Sequence, residues 1–192
     1  GVIGLNVTLY IAIEKGQLNQ AMNCCRWALS IVNGTSDNPY LKARILGFQG
    51  LVLMEMGRIE DAPVPLASAM VIFRRLGDKR NESTQLGNLG LLSQARGNLI
   101  ESVEFLEHAV SIDRQIRDIS ERGRKLVACA DVRVELGDFE QGRLLLAEAL
   151  RICRNNYEPI GEVEAELGMA QLLVESGDPV GRRNLATLYF KG

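Results

Sequence analysis

Glycine recurs through this chain at a near-constant interval: Gly16, Gly57, Gly97, Gly137 and Gly177 stand 41, 40, 40 and 40 residues apart. Each closes one apolar-periodic segment and opens the next, in "EKGQLNQA", "EMGRIEDA", "ARGNLIES", "ELGDFEQG" and "ESGDPVGR". A period of this length confines the chain to a repeat architecture, because each unit can bury its apolar face only against its neighbours. Other positions hold the same register. Two residues after each glycine comes Leu18, Ile59, Leu99, Phe139 or Pro179, and twelve after comes Ala28, Ala69, Ala109, Ala149 or Tyr189. Seven before stand Leu9, Gly50, Gly90, Ala130 and Ala170, and eleven before stand Leu5, Leu46, Leu86, Leu126 and Glu166.

This register describes a helical hairpin. A glycine in the left-handed conformation ends one helix and lets the chain reverse. A small residue in the middle of the first helix and an alanine in the second let the two backbones approach closely. Apolar residues at helical spacing, such as Leu99, Val103, Leu106 and Val110, supply the buried stripe. The expected fold is all-α: a right-handed superhelical solenoid of about five helix-turn-helix repeats. As a single domain over 1–192, its repeats fall near 1–40, 41–80, 81–120, 121–160 and 161–192. Pro63 and Pro65 lie too deep in the second helix of repeat two for an ordinary start, so that helix should begin late or kink. Repeat five loses the pattern after Gly177, and both ends read as cut from something longer.

Composition narrows the function. Lys and Arg number 22 against 24 Asp and Glu, a formal charge of -2. A nucleic-acid binder needs a concentrated basic surplus, and here the charges interleave: seven basic and six acidic side chains lie between Glu121 and Arg154. No apolar run approaches the roughly 18 residues of a membrane helix. The stretch from Gly1 to Ile13 lacks the basic start and cleavage site of a signal peptide, so a cytoplasmic location is expected. Its first helix is apolar around much of its circumference, which predicts self-association through the N-terminal end.

Candidate chemistry is sparse. His108 is the only histidine and has no nucleophile or ligand spacing around it. Cys24 and Cys25 are adjacent, suiting neither a zinc knuckle nor a C-x-x-C pair, and Cys25 takes the site of Leu66, Leu106 and Leu146. "GNLG" (87–90) lies inside an apolar helix rather than in a nucleic-acid-binding loop. Carboxylates such as Glu101, Glu104 and Glu107 belong to a solvated face. These residues give no catalytic set, no metal site and no cofactor site, and the expectation is a non-enzyme.

The register resembles the tetratricopeptide repeat, with its mid-helix small residue, its turn glycine and its alanines five and twelve residues later. The five-later site reads Ala21, Ala62, Ser102, Gly142 and Arg182, and the period is 40 rather than the usual 34. "LGDKRNESTQLGNLG" (76–90) is similar to the long-period variety of spindle-orientation adaptors, kinesin light chains, peptide-sensing bacterial regulators and sensor arrays of ATP-dependent LuxR-type activators. The resemblance implies that first helices line a concave groove. It places Asn6, Val7 and Tyr10 there, then Phe48, Leu51 and Met54, then Asn88, Leu91 and Gln94. Arg124, Val127 and Asp131 follow, with Leu167 and Gln171. The Lys/Asn/Arg clamp of shorter-period chaperone adaptors is absent from these sites. The resemblance therefore implies a protein–protein interaction module of a signalling or scaffold protein, holding a partner's peptide or helix in its groove without nucleic acid or membrane. The alternative is a regulatory sensor array of a LuxR-type transcription activator.

Overall fold

The computed structural model describes residues 17–35 and 38–177. These residues form eight helices: α1 (Leu18–Thr35), α2 (Pro39–Glu55), α3 (Pro63–Arg75), α4 (Lys79–Ala95), α5 (Leu99–Ile116), α6 (Ile119–Glu135), α7 (Phe139–Asn155) and α8 (Pro159–Glu175). There is no strand among the described residues. The chain divides into two compact units at the turn between α4 and α5, between Arg96 and Gly97. In the first, α1 packs on α2, α2 on α3 and α3 on α4, while α2 also meets α4. In the second, α5 packs on α6, α6 on α7 and α7 on α8, and α6 also lies against α8. The helix expected from Gly1 to Ile13, the self-association expected of it, and the end of repeat five fall outside the described residues.

The turn glycines do what the register requires. Gly57, Gly97, Gly137 and Gly177 have φ of 70°, 76°, 79° and 81°, in the left-handed region that side chains with a Cβ resist. At Gly57 the reversal is closed by Gly57 N–H to Met54 O (2.9 Å) and Arg58 N–H to Leu53 O (2.8 Å), which satisfy carbonyls the helix leaves open. A second 40-residue series lies between repeats and is invisible as glycine periodicity: Gly77, Arg117 and Tyr157, with φ of 71°, 58° and 55°. The same paired bonds recur there, for example Asp118 N–H to Asp113 O at 2.9 Å. The side chains of Asn38, Asp78 and Asp118 then cap α2, α4 and α6 by accepting from the backbone of Leu41, Asn81 and Glu121.

Among the described residues the small-residue register is buried. Ala21, Ala62, Ala69, Ala109, Ala130 and Ala149 have no exposed surface. Gly50 is the tightest contact: a Cβ there would lie 2.4 Å from Cγ and Cδ2 of Leu66. Cys153 occupies the gap between Gly123 and Gly161, whose added Cβ atoms would come within 3.0 and 2.7 Å of its Sγ. In the second unit Val110, Leu126, Ala149, Ile152 and Ala165 form one cluster drawn from all four helices. A buried ion pair, Lys125 Nζ to Asp113 Oδ2 at 2.7 Å, ties α6 to α5. In the first unit α3 begins only at Pro63, six residues after the turn glycine, and spans 13 residues against 17 or 18 in the other helices. With Pro63 at its first position and Pro65 two later, neither missing N–H interrupts the helical ladder, so the late start answers the proline problem.

Candidate functional site

Within the first unit, α2 and α4 bracket a pocket of about 80 Å³ whose back wall is Phe73 of α3. Three of the residues placed in the groove by the sequence meet here: Phe48 and Leu51 from α2 and Asn88 from α4. Arg44, Gly47 and Gln85 complete the walls that matter chemically. Phe48 is buried and forms the floor rather than an exposed wall, while Leu51 and Asn88 are half-buried. Gly47 makes room for the head of Gln85, since a Cβ there would lie 3.0 Å from both Oε1 and Nε2.

The polar groups of this pocket are unusual for a helix interface. Buried amides almost always find partners, because an unpaired one costs roughly 1–3 kcal/mol. Yet Oε1 of Gln85 and Nδ2 of Asn88 are both buried without a hydrogen-bond partner. One is an acceptor and the other a donor, a single helical turn apart on α4. Gln85 itself is only 6% exposed. At the mouth, the guanidinium of Arg44 stands 5.9 Å above the Tyr40 ring and donates from Nη1 to the Tyr40 hydroxyl at 3.4 Å. Tyr40 packs edge-on against Phe73 with ring centroids 6.0 Å apart. The pocket thus offers an apolar floor, an acceptor–donor pair and a positioned cation.

The remaining groove candidates are distributed along the helices. Met54 and Gln94 are half-buried and do not line the pocket, and Leu91 is exposed one turn beyond Asn88. In the second unit, Arg124 pairs with Glu121 one turn earlier in α6. Val127 is half-buried and packs at the edge of the cluster around Leu126. Asp131 faces α8, with Oδ1 3.9 Å from where a Cβ on Gly168 would stand. Partial removal from water, then the nearby charges of Glu135 and Glu175, push its carboxyl up to about 6. Gln171 is exposed on α8. Asn6 and Tyr10 lie outside the described residues.

Arg44, Gly47 and Gln85 were not singled out from the sequence. A signal existed: Asn81, Gln85 and Asn88 form an amide stripe at helical spacing on α4. Cys25, Cys129 and Cys153, by contrast, are core. Burial, with a smaller push from Cys24, raises Cys25 to about 11, and burial also raises Cys129 to about 11. His108 is exposed. No group of three His, Cys, Asp or Glu side chains able to hold a metal occurs among the described residues. No described helix is long and apolar enough to cross a membrane.

A chain of paired helices with small residues at the crossings and left-handed glycines at the turns is a helical-repeat solenoid protein. A family model for the tetratricopeptide repeat matches residues 86–116. The register of the matched segment recurs at 40-residue intervals along the rest of the sequence, so the chain is built of tetratricopeptide-like repeats. Solved structures share its fold. The TPR-like repeats of a kinesin-light-chain-like protein of Podosopora anserina match with a TM-score of 0.81 at 15% identity, over 98% of this chain and 92% of that one. Aspartyl phosphate phosphatase F of Bacillus subtilis matches at 0.88 and 11% identity, over 98% of this chain and 48% of that one. The Rap conjugation gene regulator of plasmid pLS20, in complex with the Phr* peptide, matches at 0.71 and 15%, over 94% and 58%. This chain therefore spans about half the length of the latter two. No curated protein sequence matches it significantly.

Proposed function

We propose that this chain is a protein–protein interaction module that holds an extended segment of a partner in the groove between its first helices, without catalysis. The observation that carries this reading is the pair of buried, unpartnered amide atoms, Gln85 Oε1 and Asn88 Nδ2, set over the apolar floor of Phe48, Leu51 and Phe73. A peptide backbone presents alternating N–H and C=O groups and would pair with both atoms while a neighbouring side chain fills the pocket. The small pocket suits one aliphatic side chain, and Arg44 at its rim suits an acidic residue beside it. The solved pLS20 regulator, whose fold is similar, holds a peptide, which supports the same use here. Leu91 would extend the groove along α4, while in the second unit Arg124, Val127, Asp131 and Gln171 would line the corresponding faces of α6 and α8, and the cytosol is the expected setting.

The test is a selection of random dodecapeptides against the full chain. Selected peptides should share an aliphatic residue next to an acidic one. Asn88→Ala and Leu51→Ala should each weaken their binding about tenfold, close to 1.4 kcal/mol, with melting temperatures little changed. Phe48→Ala is a poorer probe, because so buried a ring also supports the fold. Peptides that bind all variants equally would place the site elsewhere.

A further inference from the structure

A second cleft, in the other unit and independent of the groove, is built from arginine. Arg114 in the last turn of α5, Arg122 near the start of α6 and Arg151 near the end of α7 line an open cavity of about 570 Å³ with Ala147 and Glu148. The topology brings them together: α5 ends where α6 begins, and antiparallel α7 returns its own end beside them.

The charge of this cleft is not neutralised from within. Arg114 Nη2 meets Glu148 Oε1 at 3.0 Å, which satisfies the only carboxylate lining the cleft. Among the described residues Arg122 and Arg151 have no ion-pair partner, and the Nε of Arg122 is buried with no hydrogen-bond acceptor. Four other arginines of the unit are treated differently. Arg124 is held by Glu121, Arg133 by Glu107, Arg143 by Glu140 and Arg154 by both Glu162 and Glu166. Carboxylates are therefore abundant on these helices, but among the described residues none forms an ion pair with Arg122 or Arg151. A guanidinium with a buried, unfilled Nε is a fork awaiting an oxyanion.

We infer that this cleft binds the phosphate of a phosphorylated side chain on a partner segment. Two unmatched guanidinium charges call for a dianion, which a phosphate monoester supplies and a single carboxylate does not. The cleft is an open surface trough rather than an enclosed cavity, so the oxyanion comes on a chain that can lie across it. A nucleic-acid backbone would need a continuous basic stripe, which a chain of net charge -2 with paired neighbouring arginines does not offer.

The experiment follows the Arg122 Nε–Hε signal by NMR in the full chain. The probes are the blocked tripeptide glycyl-phosphoseryl-glycine, its unphosphorylated form, a version with aspartate in place of phosphoserine, and inorganic phosphate. The phosphotripeptide should shift the signal saturably. Arg122→Gln and Arg151→Gln should each weaken its binding about tenfold, the loss of one charge-assisted fork, read for the first variant from the Arg151 signal. Arg143→Gln and the groove variant Asn88→Ala should leave it unchanged. Arg151 is exposed, so its variant keeps the fold and the test survives even if Arg122→Gln does not. Binding that fails to saturate, or that neither arginine variant weakens, overturns the proposal. Equal binding of the aspartate tripeptide would reassign the cleft to acidic segments, and binding of inorganic phosphate alone would reassign it to a free ion.

Discussion

Gly50 carries the packing logic of the repeat to its limit, and Gly50→Ala should destabilise the protein even though alanine is the better helix former. The added Cβ would stand 2.4 Å from Cγ and Cδ2 of Leu66, against a comfortable carbon–carbon separation of roughly 3.5–4.0 Å. Leu66 has no exposed surface and cannot swing into solvent. It must either leave its rotamer or push α3 away from α2, which costs about 1–3 kcal/mol. Alanine returns up to about 1 kcal/mol through helix propensity. The net effect is a loss of about 1–2 kcal/mol, measurable by urea denaturation. Leu66→Ala alone should cost about 2–5 kcal/mol by leaving a cavity. In the double variant the new methyl has room, so the two effects should fall short of their sum by about 1 kcal/mol or more. Strict additivity, or a stabilised Gly50→Ala protein, would refute the close approach of α2 and α3.

Two further outcomes follow from the same structure. Tyr157 is left-handed and 92% exposed, so Tyr157→Gly should relieve strain and stabilise by about 0.5–1 kcal/mol in thermal melts; no gain would mean the turn is not strained. Asp131 has a carboxyl raised to about 6 in the folded chain, against about 3.9 when unfolded. Its favourable contribution is therefore complete below pH 4 and is lost as pH rises through 6. Asp131→Asn should then stabilise the protein at pH 7 but not at pH 4. Solvent screening of so exposed a group holds the gain to about 1 kcal/mol or less. A variant whose stability difference is the same at both pH values would contradict the raised carboxyl.

The repeat was legible in the sequence because its physics is carried by single residues that few others can replace. Only glycine sits comfortably at Gly57, Gly97 and Gly137, and only small side chains fit at Ala109 or Ala130. The turns between repeats were not legible. Gly77, Arg117 and Tyr157 share one backbone conformation but three unrelated side chains, and two of them adopt it at an energetic cost. The groove was legible in part. Phe48, Leu51 and Asn88 could be placed by register, but the partner of Asn88 could not, because the role of Gln85 depends on the space left by Gly47 on a different helix. The arginine cleft depends on contacts 34 residues apart, such as Arg114 to Glu148, which no local pattern in the sequence announces.

Side-chain amide NMR of Asn88 in complex with a selected dodecapeptide tests the central reading most directly. Holding a peptide backbone should move the Asn88 Nδ2 protons downfield and slow their exchange with water, because the donor then has an acceptor. An Asn88 amide that keeps its shift and exchange rate while the peptide is bound would contradict the groove as the site of recognition.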